Sequence, residues 1–320
     1  MDPITYTPRR AAQILEVELK DLNAASKKEG YSPLDLLALR QKLSRMPPKL
    51  KARRQLFLNF KGGTGKTSLS TSYSFRLAEM GYRVLLIDLD SQGHATKCLG
   101  LEGEQFEKTL LDVLVKKVPL SQVIVSSGVP QLDLVPSNLS MSTVDLALMP
   151  LAGREYKLKN ALKELEGQYD FTILDAPPSF GLLNLNALMA ADDLLVPVLA
   201  DFLSFHGLKL LFETVQGLEE DLDHHLDRVF IVINAFNQTY KLAKEAQSAL
   251  AEHYGDYLVK GVIRQCTKFA QASSEGLPIF IADPESKGAQ DIQALIDHVL
   301  ADLLTTPLKT ARSPLKAAGR

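Results

Sequence analysis

Residues 60–68 read FKGGTGKTS, and the chemistry these residue types suit is the holding of phosphate. Gly62, Gly63 and Gly65 let backbone N–H groups converge on phosphate oxygens with no Cβ in the way. Lys66 is placed to meet the β- and γ-phosphates and the Thr67 hydroxyl to ligate Mg²⁺, with Thr64 and Ser68 completing the cradle. The usual pattern, G-x-x-x-x-G-K-[ST], asks for glycine where this chain has Phe60. A second lysine, Lys61, stands at the front of the loop, although one lysine suffices to hold a β/γ-phosphate. Three carboxylates follow at the ends of apolar runs. Asp88 and Asp90 in VLLIDLDSQGH are two apart, hence on one face of an extended segment, and Asp175 ends FTILD. Such carboxylates can hold Mg²⁺ through water or position an attacking water. We assign Asp88 and Asp175 to the metal, and Asp90 and Lys66 to catalysis.

These groups need a scaffold to aim them. QLFLN precedes the loop, and TSLSTSYSFRLAEMG continues it as a helix whose positive end faces the phosphates. From residue 55, short Val/Ile/Leu runs alternate with helical stretches: QLFLN, RVLLIDLD, LDLVP, FTILDAPP, LLVPVLA, RVFIVIN and YLVKGVI. Such runs predict strands buried on both faces, joined by right-handed crossovers. The expected class is α/β, a mostly parallel twisted sheet with helices on both faces over residues 55–305, closed by the helix DIQALIDHVLADLL. Residues 1–46 read as a small all-α domain of three helices. TPRRAAQILE opens on Thr7 as N-cap and Pro8, LKDLNAASKKEG ends at Gly30, and SPLDLLALRQKL opens on Ser-Pro. Residues 47–54 read as a basic linker and 306–320 as a disordered basic tail.

The 320 residues are 46% apolar and 23% charged, with net charge −2, so overall charge singles out no partner. The distribution is uneven, however: residues 1–54 carry twelve Lys/Arg against six Asp/Glu. That excess suits nucleic acid, or a solvated linker. Cys98 and Cys266 form no CxxC and share no zinc spacing with histidine, which argues against a disulfide framework or structural metal. No apolar run approaches the roughly 18 residues of a membrane span, and MDPITYTPRR is not a signal peptide, so the cytoplasm is expected.

The loop and carboxylates together resemble the ParA/MinD group of deviant Walker ATPases. That family's K-G-G-x-G-K-[ST] is matched from Lys61 to Thr67, its LLIDxDPQGNAT by LLIDLDSQGHAT, and its IIDxPPxxG by ILDAPPSFG. EGLPIFIADPESKGAQ is similar to the partition branch's G-x-P…D-P-x-S-x-G-A run, whereas Ser91 and His94 stand where the family has proline and asparagine. The resemblance implies ATP and Mg²⁺ as ligands, ATP hydrolysis, and an ATP-dependent homodimer in which Lys61 reaches the partner protomer's phosphates. It further implies that Asn234 meets adenine, with Pro278 and the loop 276–283 completing the pocket. Arg264 and Lys268, then Lys260, would bind DNA without sequence preference. A ParB-like or cargo-adaptor protein would stimulate hydrolysis, with the protein on the nucleoid. The cargo stays open among plasmid, chromosome, chemotaxis array and protein microcompartment.

YTPRRAAQILEVELKDLNAASKKEGY in turn resembles the first helix-turn-helix of MerR-like regulators, without their Arg-rich wing. Specific DNA binding, partner binding and a merely retained fold are all open to it. An ATP-responsive DNA-binding regulator acting through this motif therefore stands as the alternative function. An iron–sulfur ATPase is disfavoured by the cysteine positions. A MinD-like membrane anchor is disfavoured by the tail PLKTARSPLKAAGR, which has almost no large apolar residues.

Overall fold

The computed structural model describes residues 4–222 and 224–305, so the expected basic tail lies outside the described residues. Three short helices come first: α1 (Pro8–Leu15), α2 (Leu19–Ala25) and α3 (Pro33–Lys42). The Thr7 side chain accepts the Arg10 N–H, and Ser32 and Asp35 form a reciprocal capping box, each ahead of a proline in the first turn. Glu16 at φ 56° turns the chain between α1 and α2. Helix α2 stops at Ala25, short of Gly30, because the chain becomes extended at Ser26 and Tyr31 then pairs with Tyr6. Tyr6, Ile14, Leu15, Leu22, Tyr31 and Leu36 form the buried centre of this unit.

The larger unit follows the α/β pattern. It comprises β1 (Arg53–Phe57), α4 (Lys66–Glu79), β2 (Val84–Asp88), α5 (His94–Lys97), α6 (Leu110–Lys116), β3 (Val125–Val129), β4 (Leu132–Val135), α7 (Val144–Leu148), α8 (Lys157–Ala161) and β5 (Phe171–Asp175). It continues with α9 (Leu182–Ala190), β6 (Asp193–Leu199), α10 (Leu203–Leu222), β7 (Arg228–Asn234), α11 (Lys241–Tyr254), α12 (Lys268–Ser274), α13 (Ile279–Ala282) and α14 (Lys287–Thr305). The seven strands lie in the order β3-β4-β2-β5-β1-β6-β7, all parallel except the antiparallel pair β3/β4. Separate apolar clusters cover the two faces, one of them built around α4 and α14.

Three details depart from the sequence reading. First, β1 begins at Arg53, inside the expected linker, because the Arg53 guanidinium is buried against Asp193 and Asp227. Second, β3 (VSSGV) is an additional edge strand, too rich in serine and glycine to show an apolar pattern. Third, YLVKGVI is not a strand: Gly261 turns at φ 100°, leaving the isolated bridge Ile231↔Leu258 with Val259 N–H on the Ile231 carbonyl, and, past the turn, Ile263 N–H on the Ile233 carbonyl and Phe236 N–H on the Ile263 carbonyl.

Strand register sets the site. β5 lies between β1 and β2, with Phe57 and Asp88 both opposite Asp175. The ends of three neighbouring strands thus bring the loop and the carboxylates together.

Candidate nucleotide-binding site

The loop 60–65 leaves β1 and enters α4. Gly63 (φ 73°) and Gly65 (φ 88°) occupy the left-handed region that glycine alone adopts without strain, whereas Gly62 needs only open space. Lys66 is buried and donates to the Lys61 carbonyl at 3.3 Å, so its ammonium lies within the loop. Burial lowers its pKa, and the charges of Asp175 and Asp90 oppose that shift. Asp90 is therefore within electrostatic reach of Lys66. The Asp90 side chain also accepts Gln92 N–H at 3.0 Å and is only half-buried.

The two carboxylates expected at the metal differ. Asp175 is fully buried beside the Thr67 hydroxyl, which donates to it at 2.8 Å, and Ser70 donates to its other oxygen at 2.9 Å. Asp88 instead accepts the Thr96 N–H and hydroxyl at 2.9 and 2.8 Å, and the Asp90 N–H at 3.1 Å. Asp88 thus shapes the loop carrying Asp90, while Asp175 is the one hydrogen-bonded to Thr67. Burial pushes Asp88 up to about 7, with the Asp175 charge adding to it. Burial also pushes Asp175 up to about 6, against hydrogen bonds from Thr67 and Ser70. A buried pair of carboxylates beside a hydroxyl fits a divalent cation, which would favour their charged forms. Ser70 and Thr96 escaped the sequence reading because short hydroxyl residues carry no spacing signature there.

Lys61 lies at the exposed front of the loop. Its backbone N–H is held by the Asn59 side chain at 2.9 Å, and its ammonium by Asp201 at 2.8 Å. The residue before it, Phe60, packs edge-on against Phe180 at 5.2 Å between ring centroids.

Asn234 reaches the loop directly, donating its amide to the Thr64 carbonyl at 2.8 Å. One amide hydrogen is therefore committed to the loop. Asn234 lines a cleft of about 540 Å³ with Gly65, Ser68, Arg264, Cys266 and Phe269. Pro278 is buried in a separate narrow space with Thr71 and Cys98, so residues 264–274, rather than the expected loop 276–283, wall the cleft at Asn234. A larger cleft of about 910 Å³ lies between the helical unit and α13, away from the phosphate loop.

The expected DNA-contacting side chains are partly engaged within the chain. Arg264 grips Asp291 through its backbone N–H and guanidinium at 2.8–3.0 Å. Lys268 stands 3.5 Å from Asp283, and Lys260 is exposed. Among the described residues no helix is long and apolar enough to cross a membrane.

A family model described as an AAA domain matches residues 53–228. The chain is 67% identical over 319 residues to the cell division protein PomZ of Myxococcus xanthus, covering 100% of both. It is 34% identical over 244 residues to the sporulation initiation inhibitor protein Soj of Bacillus subtilis, covering 76% of this chain and 96% of that one. Among solved structures, cobyrinic acid a,c-diamide synthase of Mycobacterium smegmatis, with bound ATP analog and magnesium, superposes with TM-score 0.69 at 28% identity. That match covers 82% of this chain and 100% of that one. The apo McdA of Cyanothece superposes with TM-score 0.68 at 25% identity, covering 76% and 99%. The chain belongs to the AAA domain family and, within it, to the ParA-like positioning ATPases.

Proposed function

We propose that this chain works as an ATP-switched homodimer that binds DNA without sequence preference and is released by partner-stimulated hydrolysis. The observation that carries this reading is Lys61, a second lysine at the open front of a complete phosphate loop. Exposed Phe180, Phe202 and Leu203 adjoin it through Phe60 and Asp201, which suits a face that a second copy would cover. Phosphate charge held between two protomers needs cations from both. Lys66 serves its own protomer's nucleotide and Lys61 the partner's. Thr67, and Asp175 through water, would hold Mg²⁺, which neutralises charge on the β- and γ-phosphate oxygens. Asp90, held at the end of a loop that Asp88 shapes, orients the attacking water.

DNA contact from Arg264 and Lys268 would compete with Asp291 and Asp283 for the same cations, so each contributes less than a free side chain. Full-length similarity to a protein named for cell division supports a division-related cargo, positioned with a stimulating adaptor protein.

Light scattering with Mg²⁺ and a non-hydrolysable ATP analogue tests the reading. Wild type goes from monomer to dimer. Lys66→Ala loses nucleotide binding, whereas Lys61→Ala keeps it but stays monomeric. A nucleotide-dependent dimer of Lys61→Ala refutes the cross-dimer role. The same samples should retain unrelated DNA duplexes with similar affinity only when dimeric. Sequence-selective binding by the nucleotide-free monomer would instead favour the helix-turn-helix regulator.

A further inference from the structure

The Lys61 ammonium has a built counter-ion. Asp201 sits just past the end of β6, and its Oδ2 meets Lys61 Nζ at 2.8 Å. Its Oδ1 accepts both the N–H and the hydroxyl of Ser204, at 2.8 and 2.9 Å, at the entrance to α10. The Asp201 N–H donates to the Leu199 carbonyl at 2.8 Å. Lys61 is pinned equally well: Asn59 accepts its N–H and donates to the Pro197 carbonyl at 2.8 Å, tying the loop to the neighbouring strand. Both charged groups are thus held from the ends of adjacent strands β1 and β6, at 32% and 38% side-chain exposure.

We infer that Asp201 is an intramolecular latch: it holds Lys61 on its own protomer while the site is empty, and dimerisation requires Lys61 to exchange this carboxylate for the phosphates bound to a second copy. The inference rests on the ATP-dependent dimer proposed above. At 2.8 Å the ammonium is tethered to a carboxylate of its own protomer, and moving it onto phosphates held by a second copy draws it away from that partner. A half-exposed ion pair of this kind shifts an equilibrium by roughly two- to five-fold. A symmetric dimer opens two, so the latch should lower the association constant by roughly four- to twenty-five-fold. It thereby sets the threshold at which nucleotide produces dimer.

Asp201→Asn removes the charge while keeping an oxygen for the Ser204 N–H, because asparagine caps helices as well as aspartate does. Sedimentation equilibrium with Mg²⁺ and a non-hydrolysable ATP analogue should give the variant a roughly four- to twenty-five-fold higher association constant at low salt, the gap narrowing as salt screens the wild-type pair. Without nucleotide both proteins should remain monomeric. Ser204→Ala, which loosens the cap and leaves the ion pair, should match wild type. An Asp201→Asn constant equal to or below wild type overturns the latch, and so does a Ser204→Ala that reproduces its rise. If neither wild type nor Asp201→Asn dimerises, the dimer reading itself fails and the latch falls with it.

Discussion

Gly65 links the phosphate loop to the base-side cleft, and replacing it with alanine tests that link. At φ 88° an alanine enters the left-handed region, at a cost of about 1–2 kcal/mol. The new Cβ also overlaps the Asn234 amide nitrogen, so Asn234 must swing off the Thr64 carbonyl. Thr64 is fully buried, and a buried carbonyl left unmet costs about 1–3 kcal/mol. Together these predict a loss of about 2–5 kcal/mol for Gly65→Ala in the native, nucleotide-loaded state. If the loop keeps its shape the loss appears as stability, and if it relaxes the loss appears as ATP affinity. The quantity to measure is therefore the sum: denaturant unfolding of the free protein plus the binding free energy of an ATP analogue with Mg²⁺. In an Asn234→Ala background the overlap is absent and only the backbone cost of about 1–2 kcal/mol should remain, giving a coupling of about 1–3 kcal/mol between the sites. Additive losses, or a Gly65→Ala loss below about 1 kcal/mol, would refute the proposed contact between Asn234 and the loop.

Two further outcomes are expected. Asp90→Ala should cut partner-stimulated turnover by about 10²-fold or more while leaving nucleotide binding nearly intact, because its side chain accepts only the Gln92 N–H nearby; phosphate release at the wild-type rate would remove Asp90 from catalysis. The pH dependence follows from Asp88, whose folded pKa stands near 7 against an ordinary 3.8. The folded, nucleotide-free protein keeps a proton that the unfolded chain has lost, so this contribution to stability is greatest at low pH and disappears as pH rises through about 7. Between pH 6 and 8, denaturant unfolding should show stability falling by about 1 kcal/mol from this group, and Asp88→Asn should flatten that part of the slope. An unchanged slope in the variant would count against the buried, proton-holding carboxylate.

The parts of the site that lie close in sequence were legible. Lys61 to Thr67 form one loop, and near-continuous apolar runs ending in Asp88 and Asp175 located both strand ends before register showed them opposite each other. The failures share a physical cause. YLVKGVI has the composition of a strand, yet one glycine in a left-handed conformation ends its ladder. VSSGV is a strand because the neighbouring edge of β4 is available to pair, which composition does not announce. Long-range ion pairs are equally silent: Arg53 finds Asp193, Lys61 finds Asp201, and Arg264 finds Asp291. Two of these pairings change how a lysine or arginine singled out for function must be understood, since the cation already has a carboxylate to leave.

The same point governs how the N-terminal helices should be probed. Arg40 of α3 is buried and donates to the Glu79 carbonyl at 3.2 and 3.0 Å and to the Ile14 carbonyl at 2.6 Å. Glu79 ends α4, where helical carbonyls lack intrahelical partners, so the N-terminal unit caps the very helix that begins at the phosphate loop. Alongside, among the described residues, the buried Tyr6 hydroxyl has no hydrogen-bond partner, and burial and then the charge of Glu79, itself paired with Arg76, push its pKa up. Deleting residues 1–50 would therefore remove a helix cap and uncover Ile281 as well as removing helices α1 to α3. Loss of DNA binding in such a truncation would say nothing about which surface touches DNA. Substitutions at Lys20 and Asn23, both exposed on α2 and outside the buried core of this unit, separate the two effects.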